Sequence, residues 1–321
     1  MKRSTVLIAL AAVCVPIIVG LGIYQYRVRE VSFDRCGSFI GRQRSACFTQ
    51  LAQKDAKALG IQAALNKWGR RVARDEGVLS SCHLAWHVVG QAHGVQLRRH
   101  NRALPATFAR NTCEEGYLHG VFIGYTTQAN VRRTDVPRLA RFCAGKRVIL
   151  GTPVNCVHAI GHTLQRSSRS HFSSMIEPGC AVVARVVARS MRGPDQGLRR
   201  NDQYSIERQC WRGAFMEHAF AQNKRITFNA SVARIRRVCT SIVREDMQSM
   251  CFHEMTTWLI LVRPGDVERL ASACAKVPAA AQHDCAEGFG HGEGTPERCV
   301  QLPASLRASC VLGAKSSDPA T

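Results

Sequence analysis

A short pattern recurs along this 321-residue chain and constrains what it can fold into. In CVHAIGHTL, residues 156–164, a cysteine is followed three positions on by a small residue and six positions on by histidine: Cys156, Ala159, His162. The same order returns as Cys113, Gly116, His119 and as Cys285, Gly288, His291. Partial copies keep the cysteine and the small residue alone: Cys82 with Ala85, Cys210 with Gly213, Cys310 with Gly313. A degenerate internal repeat of this kind is the signature of a stacked array. On a helix turning about 100° per residue, positions 0 and +3 lie within about 60° of each other and share a stripe. Cysteine and glycine on one stripe suit a seam where a neighbouring helix approaches closely and a disulfide can form. The +6 position lies about 120° away, so helices stacked in parallel would turn His119, His162 and His291 toward a common surface.

The cysteines also set the compartment. Fifteen in one chain, at regular intervals, point to an oxidising environment. Five pairs have ten to twelve residues between them: Cys36 and Cys47, Cys143 and Cys156, Cys239 and Cys251, Cys274 and Cys285, Cys299 and Cys310. The intervening stretches often carry proline (Pro153, Pro278, Pro303), as a turn between two helices would. A bridge across such a turn closes a loop worth roughly 2–3 kcal/mol in the chain-entropy estimate. Cys180 and Cys210 fit the same scheme with the turn enlarged by a surface loop at residues 192–203, which leaves Cys82 for Cys113. With Cys14 inside the apolar run of residues 6–26, the fourteen extracytoplasmic cysteines permit seven bridges and leave no free thiol there for a nucleophile or a metal ligand.

The expected fold is therefore all-α: an N-terminal transmembrane helix followed by a disulfide-stapled array of helical hairpins, an irregular α-solenoid. The design resembles cysteine-rich helical solenoids in which a bridge joins successive helices. Residues 1–30 read as a cytoplasmic stub and anchor, 31–315 as an extracytoplasmic repeat domain, and 316–321 as a disordered tail. The anchor is the apolar run of residues 6–26, preceded by Lys2 and Arg3 and long enough to span a bilayer. Those features place the C-terminal domain in the periplasm or outside the cell.

Two helices carry histidines four apart, His83 with His87 and His158 with His162. An i, i+4 pair projects from one helix face and is a common way to hold zinc, copper or iron. His83, His87, His158, His162, His119 and His291 are accordingly the candidate ligands of a divalent metal, with His93 or Glu254 in support. No phosphate loop, HExxH, CxxCH or Gly-x-Ser-x-Gly motif occurs, so no catalytic residue is assigned. The formal charge of +21 comes from arginines scattered without interleaved aromatics. That pattern suits an anionic membrane, a cell-envelope surface or an acidic protein partner, and disfavours nucleic acid. Two functions compete: a membrane-anchored scaffold presenting a rigid helical surface, or a metalloprotein, redox or hydrolytic, built on the two HxxxH helices. The topology has a direct test. A C-terminal phosphatase reporter that works only outside the cytoplasm should be active, and activity of a cytoplasm-only reporter instead would overturn both the anchor and the bridges.

Overall fold

The computed structural model describes residues 31–39, 41–72, 79–104, 112–126, 131–144, 153–168, 172–190, 200–222, 228–262, 267–293 and 296–316. Every regular element among them is helical, as the sequence predicts. The first three helices are α1 (Phe33–Gly37), α2 (Gly41–Leu59) and α3 (Ile61–Val72). The array proper runs α4 (Leu79–Arg99), α5 (Thr112–Thr126), α6 (Val136–Phe142), α7 (Pro153–Ser168), α8 (Phe172–Ser190) and α9 (Arg200–Gln222). It continues through α10 (Phe228–Thr240), α11 (Glu245–Val262), α12 (Val267–Cys274), α13 (Gln282–Glu293), a 3₁₀ turn at Pro296–Gln301 and α14 (Arg307–Ser316). The proposed anchor at residues 6–26 and residues 317–321 of the tail lie outside the described residues. Among the described residues no helix is long and apolar enough to cross a membrane.

Local chemistry explains several boundaries. Gly60 takes a φ of 78°, a left-handed conformation that glycine adopts without steric cost, and so separates α2 from α3. Pro153 opens α7, where its missing N–H is harmless. The residues expected as a loop at 192–203 are partly helical, because residues 200–203 supply the first turn of α9.

All seven expected bridges are present. Cys36–Cys47, Cys143–Cys156, Cys239–Cys251, Cys274–Cys285 and Cys299–Cys310 each join the end of one helical segment to the start of the next. Cys82–Cys113 joins the starts of α4 and α5, while Cys180–Cys210 links the middles of α8 and α9. The hairpin picture needs one amendment. Apart from α4 and α5, which are bridged and packed on each other in parallel, a helix is stapled to its hairpin mate but packs chiefly on the corresponding helix of the next unit, and those partners run parallel.

Glycine decides that arrangement. A Cβ at Gly116 would fall well inside 3.0 Å of the His83 carbonyl oxygen, and one at Gly120 would do the same at His87, so α4 and α5 touch backbone to backbone in rising, parallel register. The seam repeats between α7 and α9, where Gly213 meets the His158 carbonyl and Gly161 meets that of Cys210. It recurs between α11 and α13, where Gly288 meets His253, and between α13 and α14, where Gly313 meets Glu287. The stacked rings of His119 and His158 and, further along both helices, the contact of the Thr126 and Thr163 hydroxyls extend the parallel order from α5 to α7. The Glu207–Arg244 and Arg212–Glu254 ion pairs, each at 2.6 Å, carry it from α9 to α11. The intervening helices α6, α8, α10 and α12 return the chain to the bridged end.

One hydrophobic core runs from Cys36 to Cys310. Its first part is an aromatic chain in which Trp68 stacks edgewise on Phe33, Phe48 and Trp86, and Trp86 in turn on Tyr117. The Trp68 indole N–H donates to Asp55 Oδ2 at 2.9 Å, so the buried ring leaves no polar atom unsatisfied. The row also curls: α11 returns to touch α2, and the Trp258 ring lies 6.0 Å from that of His83 on α4. The parallel helices thus enclose an interior. Replacing Gly213 by alanine should lower stability by about 1–3 kcal/mol, since the added methyl must force two backbones apart. Gly37→Ala, which meets no atom within 4 Å, should leave it within about 0.5 kcal/mol. Equilibrium denaturation with the disulfides intact compares the two, and equal effects would refute the close seam.

Candidate metal centre

The enclosed interior is filled by histidine. His83 and His87 project from α4, His119 from α5, and His158 and His162 from α7. Within one helix the ring centroids lie 6.2 Å apart for His83 and His87 and 4.9 Å for His158 and His162. Between helices they are equally close: 5.1 Å for His87 and His162, 5.4 Å for His83 and His119, and 4.7 Å for His119 and His158. The two i, i+4 pairs do face each other, with His119 between them. All except the half-buried His158 are buried, and His162 is fully so, at 0% exposure.

Two overlapping groups of donors emerge. Ring nitrogens of His119, His158 and His162 lie within 4.8 Å of one another, as do donor atoms of His87, His162 and Glu217. Nitrogens bound tetrahedrally to zinc at 2.0–2.1 Å are about 3.3 Å apart. Small ring rotations therefore bring the first group to ligating distance. Its donor chemistry fits: three neutral imidazoles suit zinc, copper, iron or nickel, and no thiolate competes because the cysteines are bridged.

Glu217, from α9, sets the orientation of the shared residue. Its Oε2 accepts a hydrogen bond from His162 Nδ1 at 3.2 Å, while Arg166 Nε lies 3.5 Å from Oε1. A carboxylate oxygen accepts here, so Nδ1 carries a proton and Nε2 is the nitrogen left for a ligand. That Nε2 and the Nε2 of His158 are buried and have no hydrogen-bond partner among the described residues. Carboxylate support on the outer nitrogen is the usual way a metal-ligating histidine is fixed.

The electrostatics agree. Burial, reinforced by the neighbouring histidines, holds His87, His119 and His158 well below the usual imidazole range. These rings are neutral at pH 7 and ready to bind a cation.

The remaining candidates lie elsewhere. His291 does not join the cluster; its ring sits 5.6 Å from that of His253, on α13 and α11. The two share Glu254, which burial would raise but which Arg212, His253 and His291 hold down to about 2. Glu254 is committed to the Arg212 ion pair and supports no ligand in the cluster. His93 hydrogen-bonds the Tyr117 hydroxyl on another face of α4. His218 meets Gln165 across the α7–α9 seam at 2.9 Å. It is a polar spacer, and burial and Arg234 lower it to about 4. Glu217 was visible in the sequence only as an acid beside His218. Its signal is positional, because it follows Cys210 by seven residues, one residue beyond the step by which His162 follows Cys156.

No protein-family model, curated protein or solved structure matches the chain. The site therefore rests on its own geometry. The metal-free protein should lose stability as pH falls. The unfolded chain takes protons near pH 6.5 that the folded His87, His119 and His158 refuse. The stability these groups contribute is thus complete above about pH 6.5 and declines below it, at a limiting slope of about 4 kcal/mol per pH unit for three protons. Denaturant midpoints between pH 7.5 and 5.0 measure it, and a flat profile would mean that the cluster is open to water.

Proposed function

We propose that this protein is a metalloprotein that holds a divalent transition metal, zinc, copper or iron, in the histidine interior of its curled helical array. The observation that carries the reading is the convergence of His119, His158 and His162, with His162 Nδ1 held by Glu217 and its Nε2 buried without a partner among the described residues. Three histidines leave room in a tetrahedral shell for water or a substrate, which is the arrangement of a catalytic rather than a purely structural centre. His83 and His87, on the same interior face, would complete or exchange in the shell.

The scaffold reading has less support. A helical array recruits partners through an open concave face, and here that face is occupied by the histidines and narrowed by Trp258. The compartment remains part of the proposal: seven bridges favour an oxidising environment, and residues 6–26 would tether the domain to the membrane with residues 31–316 outside the cytoplasm.

Metal analysis of protein purified without a histidine tag tests the reading. About one zinc, copper or iron per chain is expected, falling below about a tenth in His162→Ala or His119→Ala. Glu217→Gln should weaken binding by about 10–100-fold, the usual effect of losing a carboxylate behind a histidine ligand. His93→Gln should bind as the parent does. All variants should keep their seven bridges, since the apolar core and the seams hold the helices without metal. Wild-type protein that takes up no stoichiometric metal would end the proposal.

A further inference from the structure

A groove of about 790 Å³ opens between α10 and α12, with no histidine in its lining. This is within the range of small-molecule sites, about 300–1,000 Å³. Its floor is apolar, with Phe252 of α11, Ile235 of α10 and Leu270 of α12 buried beneath it. Its rim is cationic: Arg236 and Arg237 on α10 face Arg269 and Lys276 across the opening, all four exposed, with Glu268 the one acidic residue in the lining. The Cys239–Cys251 and Cys274–Cys285 bridges tie α10 to α11 and α12 to α13, which fixes the width of the cleft.

An apolar trough edged by guanidinium and ammonium groups has the complement of one kind of molecule, a hydrocarbon chain ending in an anion. The chain removes apolar surface from water along the floor, and the head is met by groups that recognise carboxylates through charge-assisted hydrogen bonds. We propose that this groove binds a single long-chain carboxylate, with the acyl chain between α10 and α12 and the head at Arg236, Arg237 and Lys276. The alternation of apolar Ile235 with paired arginines is what the bare charge count conceals, since most arginines of the chain have no such floor beside them.

Calorimetric titration of the full-length protein with oleate, below its micellar concentration, tests the assignment. One oleate per chain is expected, with oleyl alcohol at least about tenfold weaker because it lacks the charge. The double variant Arg236→Glu/Arg237→Glu should lose about tenfold or more in oleate affinity, and Lys276→Glu, a single exposed change, provides the same readout if the double variant folds poorly. Ala273→Phe, which fills the trough from α12, should abolish binding without touching the rim. His162→Ala should bind oleate as the parent does, so failure of the metal site and failure of the groove are separable. Equal binding of oleate and oleyl alcohol, indifference to the rim charges, or binding of an acidic peptide in place of oleate would each overturn the proposal.

Discussion

The close contact of parallel helices at glycine is the constraint on which the rest of this structure depends. Where Gly116, Gly213 and Gly288 lie against the carbonyls of His83, His158 and His253, no side chain separates the backbones. Dispersion and desolvation act at the shortest distance two helices allow. A disulfide lies about one turn before each of these contacts: Cys82–Cys113 joins the two seam helices themselves, while Cys180–Cys210 and Cys274–Cys285 tie α9 and α13 to the helices that precede them. Neither device suffices alone: the bridge leaves the helices free to splay, and the glycine seam leaves them free to slide. Together they fix the rotation of every interior helix.

That rotation puts the histidines where they are. His83, His158, Arg212 and His253 follow their bridged cysteines by one or two positions, and His119 and His162 by six. With the register locked, the residues on one turn of successive helices meet around the interior. Packing energy drawn from the seams and the apolar core compensates for burying so many imidazoles, neutral at pH 7, beside one another. The polarity of the interior depends on the apolarity of the joints.

The bridges, the helical class and the parallel stripe were legible in the sequence because each is local. The spacing within Cys143–Cys156 or Cys274–Cys285 spans one turn, and the angle between Cys113 and Gly116 needs only a helix to define it. Cys82–Cys113 followed by elimination. The membership of the site was only partly legible, because it depends on how the array curls. His291 has the same local setting as His162, but α13 lies beyond the helices that enclose the cluster and pairs His291 with His253 instead. Glu217 belongs to a partial copy of the repeat in which the histidine is missing, so the pattern that found the other residues passed over it. Packing between parallel neighbours rather than hairpin mates also went unseen, since short loops favour hairpins and the pairing across repeats is non-local.

Parallel order among the interior helices has an electrical consequence. In antiparallel bundles the peptide dipoles of neighbours cancel, but here α4, α5, α7, α9, α11 and α13 all run the same way and their dipoles add. Each helix contributes about half an elementary charge, positive at its N-terminal end and negative at the other. The intervening helices α6, α8, α10 and α12 oppose part of this sum. The effect is confined to the terminal turns, where it favours anions at the bridged N-terminal end of α4, beside His83, and cations at the opposite ends. A metal ion held by His119, His158 and His162, near the middles of α5 and α7, would lie beyond most of that effect, with Glu217 as its nearby counter-charge.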